Sequence, residues 1–131
     1  MISFEGLRLE EGQPIYQQIV LHVKRGVVSG AIADGDELPS RRILSALLGV
    51  NPNTVQKACR ALEEEGLIAS HAGARSFAVV TPEIIAACRA ELVRGGAESW
   101  ARAARGLGLG LDEALELIRE VWDCSKEGEE P

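Results

Sequence analysis

Cysteine and histidine are scarce, with three cysteines and two histidines in 131 residues. The cysteines, Cys59, Cys88 and Cys124, are odd in number and widely spaced, which argues against an intramolecular disulfide framework and fits a reducing compartment. They form no Cys-x-x-Cys pair, and neither a His-x-x-x-His pair nor a carboxylate cluster accompanies them. We therefore expect no metal, no cofactor and no catalytic constellation. The cysteines are interpreted as small buried hydrophobic residues, with a redox role as the alternative.

Long apolar runs are also absent, since none approaches the ~20 residues that a membrane-spanning helix requires. The first residues, MISFEGLRLEEG, have neither the basic region nor the apolar region of a secretory signal. We expect a cytoplasmic protein with no membrane partner. A chain of this length can build one modest core plus an appendage.

Acidic residues are missing from one long window of an otherwise acidic chain, whose net charge is −6. Residues 1–80 hold 8 Lys and Arg against 9 Asp and Glu, whereas residues 81–131 hold 6 against 11, so the acidity is mostly C-terminal. No Asp or Glu occurs from Leu38 to Leu62. That window contains four basic residues, Arg41, Arg42, Lys57 and Arg60. It predicts a local positive patch that the total charge conceals.

Hydrophobic periodicity predicts two helices before the middle of the chain. The first lies between Pro14 and Gly30 and has an apolar stripe that leaves Lys24 on the polar side. The second begins after Ser40, a favoured N-cap residue, and ends at Gly49. Its apolar residues are Ile43, Leu44, Leu47 and Leu48.

The third predicted helix has the clearest start and end. Asn51 is a favoured N-cap, Pro52 suits the first helical position, and Gly66 suits the C-terminal end. One arc of this helix is apolar and consists of Val55, Ala58, Cys59 and Leu62. The opposite side is polar and basic, and consists of Asn53, Gln56, Lys57 and Arg60. The apolar side is expected to pack against the protein core, and the polar side is expected to face a partner.

After Gly66 the period of the sequence becomes alternating. Residues 67–70 and 76–80 read as two strands, joined by the turn HAGAR around Gly73. The predicted fold class is mainly α with a small β-hairpin: a winged helix-turn-helix domain over residues 1–80, followed by a helical hairpin. A helix presented to DNA must avoid carboxylates on its outward side, which explains the window without acidic residues.

Residues 81–125 predict a helical dimerisation region, and residues 126–131 a disordered acidic tail. The first of its helices begins at Thr81-Pro82, and Gly95-Gly96 is expected to kink or interrupt it. Its apolar stripes should be covered by each other, by the winged domain and by a second copy of the chain. The residues expected to dimerise are Ile84, Cys88, Leu92, Trp100, Leu115, Ile118 and Trp122.

Several segments in register resemble the DNA-binding domain of the GntR family of bacterial transcription regulators, and within it the YtrA-like subfamily. The matching segments are PIYQQI, GDELPS, LGVNPNTV, ALEEEGLI and HAGARSF, which together cover about residues 13–80. The short two-helix C-terminal region also resembles that subfamily. The resemblance implies a homodimer that binds a palindromic operator on double-stranded DNA. It further implies a repressor of its own or a neighbouring operon, often one encoding a transporter, with the effector unknown.

Site residues follow from the resemblance by position. Arg42 would contact DNA from the second helix, the first turn of the third helix would enter the major groove, and the wing would reach a minor groove or phosphates. The third-helix residues are Asn51, Asn53, Thr54 and Gln56, and the wing residues are His71, Gly73 and Arg75. Lys57 and Arg60, one turn later, are expected to meet phosphates. For Arg41 and His71, idle exposure to solvent remains the alternative.

The sequence departs from the family pattern at three positions. Ile43 stands where an acidic residue is usual and removes a capping-box partner for Ser40. Arg75 replaces a common second glycine of the wing, and Cys59 replaces a frequent aromatic residue.

Two other functional classes are alternatives to a DNA-binding regulator. A winged-helix module used only for protein contacts would lack the basic side of the third helix, and an enzyme would need a catalytic constellation.

Overall fold

The computed structural model describes residues 1–71 and 75–128, which form five helices and one two-stranded antiparallel sheet. The helices are α1 (Ile15–Ser29), α2 (Arg41–Leu48), α3 (Pro52–Glu64), α4 (Pro82–Gly106) and α5 (Leu111–Gly128). The strands are β1 (Ile68–His71) and β2 (Arg75–Ala78), paired from Ile68 with Ala78 to His71 with Arg75. The mainly α fold with a small hairpin confirms the predicted fold class.

Two compact units make up the chain, and their boundary falls inside α4 after Glu91. The first unit contains α1 to α3, the hairpin and the first turns of α4. The second contains the rest of α4 together with α5. The sequence predicts a domain boundary between residues 80 and 81, just before the start of α4, the helix that contributes to both units.

The core of the first unit forms where α1 and α2 pack on α3. Its largest fully buried side chains are Ile19, Val23 and Val27 of α1, Leu44 of α2, and Val55 and Leu62 of α3. The N-terminal segment closes one side of this core, because Ile2 and Phe4 are buried and the Ile2 N–H donates to the Glu37 carbonyl at 2.8 Å. The hairpin adds Ile68 and Ala78. One apolar core therefore fixes α3 and the wing together.

Lys24 is the largest departure from the predicted pattern of α1. Its side chain is buried instead of lying on the polar side. Its Nζ donates to Glu65 Oε1 at 2.9 Å and to Glu91 Oε2 at 2.7 Å. Burial alone would lower the pKa of Lys24, but the hydrogen bonds and negative charges of Glu91 and Glu65 outweigh it and raise that pKa. The three residues are called the Lys24 cluster below.

Only part of the apolar pattern of α2 is buried, because Ile43 and Leu47 remain 55% and 57% exposed. Leu44 is fully buried and Leu48 is half-buried. The reason is geometric. An eight-residue helix packs on α3 through one narrow side, and Ile43 and Leu47, four residues apart, lie on another.

Gly95-Gly96 does not interrupt α4, since the helix continues to Gly106, and the alternative of a kink there stays a prediction. Arg94 Nε donates to Glu98 Oε1 at 2.9 Å, an i,i+4 ion pair that spans both glycines and supports the helix there.

The C-terminal helix is longer than predicted, because α5 includes residues 126–128, which the sequence analysis assigned to the acidic tail. Residues 129–131 of that predicted tail lie outside the described residues. Cys124 is exposed, contrary to the expectation of a buried cysteine.

The second unit has a small buried centre. Ala104 of α4 and Ala114 of α5 are buried, and the Leu109 N–H donates to the Ala104 carbonyl at 3.0 Å where α4 ends. Gly108 adopts a φ of 85°, a left-handed conformation that glycine accepts without strain. Most large apolar side chains of α5 are exposed: Leu111, Leu115, Leu117, Ile118, Val121 and Trp122.

Candidate nucleic-acid interface

Side-chain caps fix the starts of both helices of the helix-turn-helix. The Ile43 N–H donates to Ser40 Oγ at 3.2 Å, and the Asn53 N–H donates to Asn51 Oδ1 at 2.8 Å. Between the helices, the Ser45 hydroxyl donates to the Val50 carbonyl at 2.5 Å. Neither helix has an acidic residue in its first turn. No carboxylate of the first turn therefore offsets the positive end of either helix dipole.

α3 separates its residues into two sides, as the sequence predicts. Val55, Ala58 and Leu62 are fully buried against the core. We call the residues on the other side the outward face of α3, and all of them are exposed: Asn53, Gln56, Lys57 and Arg60. Asn51 is exposed at the cap, whereas Thr54 is half-buried. The outward face offers amide, ammonium and guanidinium donors, which suit phosphates and base edges.

The basic residues of α2 and α3 have no ion-pair partner in the part of the chain that the structure describes. In residues 1–71 and 75–128, none of these four forms an ion pair: Arg41, Arg42, Lys57 and Arg60. At the end of α3, Glu63 accepts the Ser70 hydroxyl at 2.7 Å and the C-cap residue Glu65 accepts Lys24, whereas Glu64 is exposed. The positive charges thus remain available to an anionic partner.

One member of the outward face has an aromatic neighbour. Lys57 Nζ lies 4.2 Å from the centroid of the Tyr16 ring, which belongs to the first turn of α1. Tyr16 is half-buried and packs against the core. The helical period places Tyr16 with the apolar stripe of α1. A contact between side chains 41 residues apart has no local signal that would reveal it.

The wing adjoins the connection to α2. Its strands are close to the predicted segments, but β1 begins one residue later and β2 ends at Ala78. Arg75 is 72% exposed, and its Nε lies 3.6 Å from Glu37 Oε1, so one predicted DNA contact already has an acidic neighbour. His71 is a strand residue paired with Arg75 in the ladder. Gly73, the other predicted wing contact, lies outside the described residues.

A small cavity of about 270 Å³ separates the wing from the start of α2. Cys59, Arg41 and Glu63 line it, together with Leu38, Pro39, Ser40, Ser70 and Ser76. Burial raises the pKa of the Cys59 thiol, although the positive charge of Arg41 opposes that effect. A thiol held protonated in this way is a poor nucleophile and metal ligand.

The residues predicted to dimerise fall into two groups. Cys88 is buried and Ile84 is half-buried, and both pack against the core of the first unit. Cys88 is therefore covered within one chain, and its assignment to the dimerisation region stays a prediction. Burial also raises the pKa of its thiol. The remaining residues belong to the second unit: Leu92 and Trp100 are half-buried, and Leu115, Ile118 and Trp122 are exposed.

Known proteins are similar to this chain in sequence and in fold. The signature of the bacterial regulatory proteins of the gntR family matches residues 15–78. The HTH-type transcriptional regulator YhcF of Bacillus subtilis is 30% identical over 112 residues, covering 86% of this chain and 93% of YhcF. The chain belongs to the GntR family. It is accordingly an HTH-type transcriptional regulator and not an enzyme, as predicted.

Other GntR-type relatives match over different extents. The transcriptional repressor YtrA of Bacillus subtilis is 42% identical over 64 residues, which are 49% of each chain. A GntR family regulator from Listeria monocytogenes has a similar structure, with a TM-score of 0.72, 27% identity, and coverage of 86% of this chain and 98% of that one. YtrA from Sulfolobus acidocaldarius has a TM-score of 0.55, 34% identity, and coverage of 72% and 99%. These similarities agree with the predicted YtrA-like resemblance.

No helix within the described ranges has the length and apolar content needed to cross a membrane.

Proposed function

We propose that this GntR-family chain is a cytoplasmic homodimer that binds a palindromic DNA operator through α3 and the wing. In this proposal it represses its own or a neighbouring operon of the transporter type. The observation that carries the proposal is the outward face of α3. Its hydrogen-bond donors are exposed. In the described part of the chain, no ion pair involves the cations of this face, Lys57 and Arg60, or the neighbouring Arg41 and Arg42. Such unpaired cations release counterions when they meet phosphates, which favours binding.

Arg42 and Gln56 are assigned different roles. Arg42 lies in the first turn of α2, where a guanidinium suits a phosphate or an adjacent base. Gln56 projects from α3, where its amide can pair with the edge of an adenine in the major groove. Replacing each residue should therefore affect DNA binding in a different way.

Fluorescence anisotropy on operator and scrambled duplexes across a salt series tests these roles, starting from DNA upstream of the coding sequence. Arg42→Ala should weaken binding to both duplexes and reduce the salt slope by about 0.9 for each protomer. Gln56→Ala should leave that slope unchanged and relax preference at one base pair per half-site by about 1–3 kcal/mol. Arg25→Ala is the matched control, since Arg25 is exposed on α1 and forms no ion pair among residues 1–71 and 75–128.

The exposed apolar stripe of α5 supports the homodimer. Leu111, Leu115, Ile118 and Trp122 recur on one side of the helix and are exposed in a single chain. Ile118→Glu should convert the protein to a monomer at micromolar concentration in sedimentation experiments. Glu120→Ala, on the opposite side of α5, should leave it dimeric. A wild-type protein that sediments as a monomer would refute this part of the proposal.

The similarity to Bacillus subtilis YtrA, whose name includes the word repressor, supports repression. A reporter joined to the upstream DNA should be expressed more strongly when the gene for this protein is deleted. Loss of reporter expression on deletion would indicate an activator instead. The alternative function, a winged-helix module for protein contacts, would give no measurable affinity for any duplex.

A further inference from the structure

Tyr16 and Lys57 form a pair that joins α1 to the outward face of α3. The ammonium of Lys57 lies 4.2 Å from the ring centroid of Tyr16, within the range of a cation–π interaction. The two partners differ in burial, because Tyr16 is half-buried against the core and Lys57 is exposed. A ring fixed by the core therefore holds a side chain that would otherwise move freely.

The chemistry of this pair differs from that of the ion pairs in the same unit. Lys24 and Arg75 lie beside carboxylates, which cancel their charge toward a distant anion. An aromatic ring attracts an ammonium through its quadrupole and leaves the net charge of +1 intact. A lysine side chain also loses rotamer entropy when a partner fixes it. Tyr16 reduces that loss before any partner arrives.

We propose that Tyr16 is a positioning residue that holds the Lys57 ammonium at the place where it meets a DNA phosphate. This inference rests on the proposed function and extends the DNA-binding surface to the first turn of α1. Lys57 is adjacent in sequence to Gln56, so its ammonium flanks the residue assigned to the groove. Neither Tyr16 nor Lys57 is assigned a base contact.

Anisotropy with a scrambled duplex across a salt series tests the inference on the full chain. Tyr16→Leu should weaken binding, by at most about two- to fivefold for each protomer, a limit set by the strength of an exposed cation–π interaction. Tyr16→Phe keeps the ring and should bind like the wild type. Lys57→Met should reduce the salt slope by about 0.9 for each protomer. In the Lys57→Met background, Tyr16→Leu should cause no further loss, because the two changes remove the same contact.

A second measurement separates positioning from support of the fold. The Lys57 Hε protons should resonate upfield in the wild type because of the Tyr16 ring current, should do so in Tyr16→Phe, and should move to ordinary values in Tyr16→Leu. The upfield shift should persist when the duplex is added. The opposite result would be loss of the upfield shift on binding, together with tighter binding by Tyr16→Leu than by the wild type. That result would mean that the ring keeps Lys57 away from DNA, and it would overturn the inference.

The outcomes distinguish the two levels of the proposal. A wild-type protein that binds no duplex would refute the proposed function and the positioning role with it. If the wild type binds DNA but Tyr16→Leu reduces affinity equally in the wild-type and Lys57→Met backgrounds, only the positioning role would be refuted. Equal DNA affinity of Tyr16→Leu and the wild type would also refute the positioning role.

Discussion

Replacement of Lys24 by methionine tests which member of the Lys24 cluster is costly to lose. The Lys24 side chain is 7% exposed, whereas Glu65 and Glu91 remain 45% and 57% exposed. Methionine fills a similar volume without a charge, and both carboxylates can be solvated once the ammonium is gone. Replacing a buried ion pair by an apolar residue is often close to neutral. We expect the free energy of unfolding to change by less than about 1 kcal/mol.

The double variant Glu65→Gln, Glu91→Gln makes the opposite change, because it keeps the buried ammonium and removes both negative charges. Removing the partner of an enclosed charge costs about 3–5 kcal/mol. Solvent screens these half-exposed carboxylates, and glutamine still accepts a hydrogen bond, so we expect a loss of about 2 kcal/mol. Adding Lys24→Met to the double variant should recover most of that loss, since no buried charge then remains at the cluster.

Urea denaturation followed by far-ultraviolet circular dichroism, at one protein concentration, measures these differences. Tryptophan fluorescence is unsuitable, because Trp100 and Trp122 both belong to the second unit. Arg25→Met is the control, an exposed neighbour on the same helix. A larger loss from Lys24→Met than from the double variant would refute the reasoning.

The Lys24 cluster also predicts a dependence of stability on alkaline pH. The pKa of Lys24 is raised in the folded protein, so its contribution is complete below the ordinary value of 10.5. That contribution is lost as the pH rises through the folded-state pKa. The wild type should therefore lose more stability than Lys24→Met above about pH 10.5.

Three further changes probe local features. Asn51→Ala should cost about 1 kcal/mol through loss of the helix cap, and an unchanged thermal midpoint would contradict the cap. Gly26→Ala should cost about 1–3 kcal/mol, because its added Cβ would lie 2.5 Å from Ile32 Cδ1. Combining it with Ile32→Val, which removes that methyl group, should restore part of the loss in urea denaturation. A thiol reagent at neutral pH should label exposed Cys124 quickly and buried Cys88 only after unfolding, as peptide mass spectrometry would detect.

The parts of the fold that sequence predicts well are those with local causes. The limits of α1 and α3 follow from Pro14, Gly30, Asn51 and Pro52, whose conformational preferences act within one turn. The two sides of α3 follow from its helical period. For the same reason the outward face of α3, including Gln56, could be predicted before any coordinates existed.

Features with distant causes escape such prediction. Lys24 is buried because its carboxylate partners come from positions 41 and 67 residues further along the chain. Ile43 and Leu47 have the spacing of a core stripe, yet the short α2 buries a different side. The pairing of Tyr16 with Lys57 likewise depends on how α1 packs on α3. Each case is decided by tertiary packing, which overrides the local pattern.

A net charge of −6 is compatible with the proposed binding of DNA because electrostatic interactions in salt act over short distances. Exposed charges are screened beyond about 8 Å at physiological ionic strength. At 1.5 Å per residue, Glu64 lies about 16 Å along the axis of α3 from Asn53. Glu63 and Glu65 flank Glu64 at the same end of α3, and Lys24 pairs with Glu65. A phosphate beside the first turns of α3 would therefore experience the unpaired cations nearby far more than the acidic total, and lower salt should strengthen binding.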